Sequence, residues 1–146
     1  MNQVNFTTHW IDGPIATALT HEWLMMASAN HGIGSSGIFC GQVRADFSGG
    51  KMVKGITYSV YESMANQVLH DFIVGEMSSF RIECVKIAQS KGFVACGELS
   101  LLVLIATAHR KELLAAQALL VEFLKFKVPV WKKEIFADDS YRWINA

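Results

Sequence analysis

The sequence predicts a single α+β domain spanning residues 1–146, and three observations carry that expectation. Segments with a helical apolar period alternate with segments of strand character. Neighbouring strands are repeatedly separated by turns too short to hold a crossover helix, which favours antiparallel hairpins over a doubly wound parallel sheet. The most apolar run, Leu99 to Ala108, is about half the ~20 residues that a membrane helix needs and is broken by Ser100 and Thr107, so it reads as a strand covered on both faces.

Taken in order, the elements read β, α, β, β, α, β, β, α, β, β. Asp12-Gly13-Pro14 has the cap-then-proline pattern of a helix start, with Ile15, Ala18, Leu19, Trp23 and Met26 at helical spacing and an end near Asn30. Gly32 to Gly37 reads as a loop, followed by a strand from Ile38 to Arg44. Ser48-Gly49-Gly50 is a hairpin signal leading into the alternating stretch Met52 to Tyr61. Glu62 to Phe80 places Met64, Val68, Leu69, Phe72, Ile73 and Met77 on one helical face. Ile82 to Gln89 and Glu98 to Thr107 read as strands joined across Lys91-Gly92. Arg110 to Phe126 predicts a third helix with Leu113, Ala116, Leu120 and Leu124 inward. Pro129 stops that helix and opens a strand from Val130 to Phe136, and Asp138-Asp139-Ser140 turns into Tyr141-Arg142-Trp143-Ile144.

Composition narrows the function classes. Thirteen Lys plus Arg balance thirteen Asp plus Glu, so no global field draws in nucleic acid or an anionic membrane. The chain is 51% hydrophobic and only 18% charged, which predicts that some of its surface is buried against another chain. The first residues lack the basic flank and apolar core of a secretory leader, which predicts a cytoplasmic protein. Cys40, Cys84 and Cys96 form no CxxC pair and lie in apolar contexts, so they read as buried free thiols, with no metal or cofactor implied.

The most informative chemistry lies in Lys125-Phe126-Lys127-Val128-Pro129-Val130-Trp131-Lys132-Lys133-Glu134, where four lysines crowd a proline-stiffened turn in an otherwise neutral chain. Such lysines can converge on a phosphate or carboxylate. Neighbouring cations and burial also lower a lysine's pKa, making it a usable acid, base or nucleophile. The plainer reading is a solvated helix end whose lysines oppose the helix dipole. His109-Arg110 opens a helix directly after the apolar strand, a junction that suits an anion, while a lone histidine there also serves as an ordinary hydrogen-bonding group. Arg44 reads either as a phosphate ligand or as a surface ion pair. Trp131, Tyr61 and Met64 read as packing residues. No GxGxxG, P-loop, GxSxG or dense carboxylate pair is present.

Five ordered blocks carry a family resemblance: Gly41-Gln42-Val43-Arg44, Tyr61-Glu62-Ser63-Met64-Ala65, Gly97-Glu98, Ala108-His109-Arg110, and the segment from Leu124-Lys125 through Pro129-Val130-Trp131-Lys132-Lys133-Glu134. From about Gly37 to Trp143 the chain resembles the large, catalytic subunit of molybdopterin synthase, called MoaE in bacteria. The resemblance implies an α/β hammerhead fold and a homodimer within a heterotetramer, each large subunit receiving the Gly-Gly tail of a small ubiquitin-like sulfur carrier (MoaD-like). It implies a sulfurtransferase that moves sulfur from that thiocarboxylated tail onto cyclic pyranopterin monophosphate, forming the molybdopterin dithiolene of molybdenum cofactor biosynthesis. Sulfur then comes from the partner and not from a cysteine of this chain. Carried over by position, Lys125 and Lys132 match the catalytic lysines. Gln42, Val43, Arg44, His109, Arg110, Lys133 and Glu134, with both lysines, match positions lining the pterin-phosphate pocket. The chain departs from the family pattern at Ser59, where a glutamate is common, and at Gln89-Ser90, where His-Arg is common. The alternative is a non-catalytic paralogue that binds a ubiquitin-like tail or an anionic metabolite.

Overall fold

The computed structural model describes residues 4–144. Among them the chain forms β1 (Asn5–Asp12), α1 (Ala18–Ser28), β2 (Ser35–Gln42), β3 (Phe47–Ser48), β4 (Lys51–Val60), α2 (Glu62–Val74), a short 3-10 turn (Glu76–Ser79), β5 (Ile82–Ala95), β6 (Leu99–Thr107), α3 (Arg110–Phe126), β7 (Val130–Phe136) and β8 (Tyr141–Ile144). The predicted α+β class holds, and so does the element order except for β3, a two-residue strand not expected between α1 and α2. The strands run β2-β6-β5-β4-β7-β8 across the sheet, with β3 paired to β4 and β1 to β5. All pairs are antiparallel except β1 with β5.

β6 is the organising strand, and it is buried on both faces as its sequence predicts. Leu101, Val103 and Ile105 face a core built with Leu69, Phe72 and Ile73 of α2 and Leu113, Ala116, Leu120 and Leu124 of α3. Leu102 and Leu104 face the other way, onto Ile15, Trp23 of α1 and Ala88 of β5. The period-2 alternation of one strand thus feeds two helical layers. α2 and α3 meet at Phe72 and Phe123, whose rings stack with centroids 3.7 Å apart.

Three expectations need correction. The turn predicted at Lys91-Gly92 is not a turn: β5 runs straight through it, and the chain reverses at Cys96-Gly97, where Gly97 has φ 89° and Glu98 caps Ala95 N–H. Gly92, at φ 79°, lies instead where β5 passes from its pairing with β1 and β6 to its pairing with β4. A glycine that tolerates positive φ can redirect a strand as readily as close a hairpin. The first helix does not start at Pro14, because Gly13 N–H is bonded to Lys91 O and Ile15 N–H to Leu99 O, which holds this segment on the sheet until Ala18. Ile15 is buried from that sheet position, whereas Met26 is 51% exposed. The second helix stops at Val74, and Met64, assigned to its inner face, is exposed, as is Tyr61. Ala65 takes the buried place.

The strand expected from Ile38 to Arg44 is β2 at Ser35–Gln42, so it takes in the end of the expected Gly32–Gly37 loop and stops before Val43. Gly49 and Gly50 both take positive φ in the tight turn between β3 and β4. α3 spans the predicted residues with the predicted face inward, and β7 and β8 match their predicted ranges.

Leu104 is fully buried, and trimming it to alanine removes about 2–5 kcal/mol of stability. Met26→Ala, on the exposed side of α1, changes stability by less than about 0.5 kcal/mol. Urea unfolding of the two variants checks the contrast; equal losses would place α1 differently from the arrangement described.

Candidate functional site

The site is built by the turn between α3 and β7. Lys127 ends α3 by bonding its N–H to Phe123 O, Val128 is buried as an anchor, and Pro129 forbids further helix. The chain turns back as β7, antiparallel to β4, with Val130 opposite Val60, Lys132 opposite Tyr58 and Glu134 opposite Ile56. Side chains on a strand alternate, so the lysine run splits. Lys132 points into a small cleft that it shares with Lys125 from the last turn of α3. Lys133 points to the opposite face, where its ammonium lies over the rings of Tyr141, 4.7 Å from the centroid, and Trp143, 5.5 Å away.

The cleft is lined by Tyr58, Gln89, Ser100, Leu101, Leu124, Lys125, Val130 and Lys132. Partial burial pushes the Lys132 pKa below that of an ordinary lysine, with the nearby Lys125 charge adding to the effect. Free amine is therefore more accessible at Lys132 than on a solvated lysine. The same positive pair, brought to one small cleft, favours an anion between the two ammonium groups.

The other predicted residues fall into three places. Gln42 ends β2 and Arg44 follows two residues later; Gly41, the residue before Gln42, offers its carbonyl to Ser100 Oγ in the cleft wall, but neither Gln42 nor Arg44 lines the cleft. Arg44 is largely exposed and makes a two-pronged ion pair with Asp46, its Nε 2.6 Å and its second amino nitrogen 3.2 Å from the carboxylate oxygens. Val43 is buried, packs on Tyr58 and Val94, and has both backbone groups bonded, its N–H to Glu98 O and its carbonyl from Gly97 N–H. Its contribution is to hold the cleft wall. Glu134 is buried beneath Arg142, 2.7 Å away.

His109 and Arg110 are elsewhere. His109 is the residue before α3, exposed, its carbonyl accepting a hydrogen bond from Thr107 Oγ1 at 2.7 Å. Lys125 lies at the far end of the same helix, and at 1.5 Å per residue the two ends are about 22 Å apart. One phosphate cannot touch both clusters of a single chain.

Sequence reading missed Tyr58, Gln89 and Ser100 as lining residues. Tyr58 had a findable signal, since it faces Lys132 in any antiparallel pairing of the two strands in this register, but no sequence pattern brings Ser100 and Gln89 there. Trp131 is half exposed and not core. Of the cysteines, Cys40 is exposed and Cys84 and Cys96 are half-buried, so the expectation of fully buried thiols fails. Burial raises the Cys84 and Cys96 pKa values, which keeps both protonated and poor nucleophiles. Among the described residues no cluster of three or more His, Cys, Asp or Glu side chains could hold a metal, and no helix is long and apolar enough to cross a membrane.

The fold and the cleft together define an α+β domain with two lysines, Lys125 and Lys132, in one small cleft. Comparison with known proteins gives that class its family. Residues 15–127 match the family described as "MoaE protein". The molybdopterin synthase catalytic subunit of Haemophilus influenzae is 31% identical over 91% of this chain and 85% of its own length. The subunit of the same name from Drosophila erecta is 32% identical over 88% of this chain but only 34% of its own length, so the chain spans about a third of that longer relative. The large-subunit fold also recurs in a solved complex of subunits 1 and 2 of molybdopterin-converting factor from Helicobacter pylori, with TM-score 0.78, 21% identity, and 95% of this chain and 89% of that one covered. The chain belongs to the MoaE family, and its fold is the hammerhead-type arrangement expected from the resemblance.

Because Lys125 contributes repulsion, Lys125→Met raises the Lys132 pKa toward the ordinary lysine value while leaving burial unchanged. A pH titration of the Lys132 side-chain resonances checks this; a midpoint that stays put or falls would separate the two lysines.

Proposed function

We propose that this chain is the catalytic subunit of a molybdopterin synthase. It transfers sulfur from the thiocarboxylated Gly-Gly tail of a small ubiquitin-like subunit to cyclic pyranopterin monophosphate, in the cytoplasm, as a homodimer within a heterotetramer. The observation that carries the reading is the meeting of Lys125 and Lys132 in one half-buried cleft, with Lys132 shifted toward the free amine. The names of the related proteins, and the two-subunit composition of the Helicobacter pylori complex, support the reaction and the partner.

In this reading the tail's sulfur attacks the pterin side chain, its new carbon–sulfur bond replacing a carbon–oxygen bond of the cyclic phosphate, which opens; water then adds to the tail's acyl carbon, whose bond to sulfur breaks to leave a carboxylate on the tail and the sulfur on the pterin. Lys132 stabilises the charge that develops during attack, in a cleft where water competes weakly. Lys125, beside the terminal carbonyl of the tail, stabilises the tetrahedral species or moves its proton. Arg44, three residues after the Gly41 carbonyl that meets the cleft wall, supplies a guanidinium for the substrate phosphate, which competes with Asp46 for it. His109 and Arg110, about 22 Å from Lys125 in their own chain, reach the same phosphate only from the second copy of the dimer. Lys133 and Glu134 act through the strand, Lys133 by clamping β8 and Glu134 by holding Arg142.

Product formation from purified thiocarboxylated small subunit and cyclic pyranopterin monophosphate tests the assignment. Lys125→Ala and Lys132→Ala each lower turnover by about 100-fold or more while the complex still assembles. Normal turnover in either variant, with the complex intact, would remove that lysine from the mechanism. Mixing Lys132→Ala chains with Arg110→Ala chains restores activity, because each mixed dimer then holds one undamaged site. Absence of recovery would confine the site to a single chain.

A further inference from the structure

We propose that Tyr58 is a positioning residue for Lys132, its ring forming the wall against which the lysine side chain lies and its hydroxyl, anchored on Ser100, holding that wall in place. The inference deepens the reading above, in which Lys132 is a reacting group. Tyr58 and Lys132 are direct partners across β4 and β7, a relation that brings Cβ atoms within about 5.5 Å, and both line the cleft. Tyr58 is only 7% exposed although it stands beside a charged side chain. Behind its ring pack Val43 and Val94, so the ring has no room to retreat from the cleft.

The hydroxyl chemistry has a direction. Tyr58 Oη donates to Ser100 Oγ at 2.9 Å, and Ser100 Oγ donates to Gly41 O at 3.4 Å. Each hydroxyl has one proton, and both are committed along the chain from Tyr58 through Ser100 to Gly41. The phenolic oxygen is left with acceptor capacity and no donor, which suits an ammonium neighbour, since a lysine offers three donors and accepts none. Burial also raises the phenol's pKa, so Tyr58 stays neutral and does not tie Lys132 into a permanent ion pair. Tyr58 therefore does not supply a proton to the reaction. It shields the lysine from water and limits where its side chain can go, and the Ser100 link carries this constraint back to Gly41 at the end of β2, next to Gln42.

Competitive labelling with trace acetic anhydride over a pH series, read peptide by peptide by mass spectrometry, measures the ionisation of Lys132 without any substrate. Lys51, remote in the β4 turn and paired with Asp138, serves as the internal control. In Tyr58→Ala water reaches the ammonium, and the Lys132 midpoint rises by about half a unit, leaving roughly threefold less free amine at neutral pH. Tyr58→Phe keeps the ring but loses its anchor on Ser100, so the midpoint rises by less than in Tyr58→Ala, which separates the wall from the hydroxyl. Ser100→Ala frees the ring and lowers Lys132 labelling in the same direction as Tyr58→Ala but by less. An unchanged Lys132 midpoint in folded Tyr58→Ala overturns the proposal; if that variant does not fold, unchanged labelling in Ser100→Ala does so. Sulfur transfer is measured separately on the same proteins. Loss of the proposed reaction with the labelling shifts intact would fault the functional reading and not the role of Tyr58.

Discussion

Pro129 is the constraint on which the site depends. It ends α3 one turn after Leu124 has been buried, and it sends the chain back along β4 as β7. From that point the two-residue repeat of a strand decides the fate of each charge. Lys132 falls on the cleft side with Lys125, and Lys133 falls on the far side among Tyr141 and Trp143. A helix continuing through this segment would instead have kept Lys125 and Lys132 on one face but two turns, about 10.5 Å, apart along its axis. Pairing them costs electrostatic free energy in the unliganded chain, which an anionic ligand would offset.

Much of the fold was legible because its signals are local. The period of α3, the proline after it, the paired glycines at 49 and 50, and the unbroken apolar character of β6 each describe one element and were read correctly. The errors arose where a local signal had a tertiary use. Gly92 has the φ of a turn glycine, but it lies inside β5 where that strand changes partners, and only the positions of β1, β4 and β6 reveal it. Pro14 looked like a helix start, yet the backbone around it is bonded to Lys91 and Leu99, residues distant in sequence.

The site was legible in part for the same reason. Lys125 and Lys132 stand seven positions apart across a turn whose geometry the proline dictates, so their meeting follows from local rules. The remaining members come from β2, β4, β5 and β6, and nothing in their own neighbourhoods marks Gln89 or Ser100 as cleft residues. His109 and Arg110 were grouped with the lysines by resemblance, and the length of α3 separates them within one chain. In the reading proposed above, that separation would be the reason for the dimer: two half-sites at opposite ends of one helix would become whole sites only with a second copy placed against the first. The departures at Ser59 and Gln89-Ser90 differ in consequence. Ser59 alternates away from Tyr58 and stands opposite Trp131, outside the cleft, whereas Gln89 lines it and Ser90 is buried with a hydroxyl that has no partner in the described structure.

A neutral chain thus concentrates its chemistry in one small positively charged cleft, and the ionisation of Lys132 is the most direct expression of that arrangement. Observation of the Lys132 side-chain amine by heteronuclear NMR across a pH titration of the unmodified chain would measure it. The account predicts a midpoint below the 10.5 of an ordinary lysine, lowered first by burial and then by Lys125. A midpoint at or above that value would show Lys132 to be a solvated surface group, and the cleft would then not be the site.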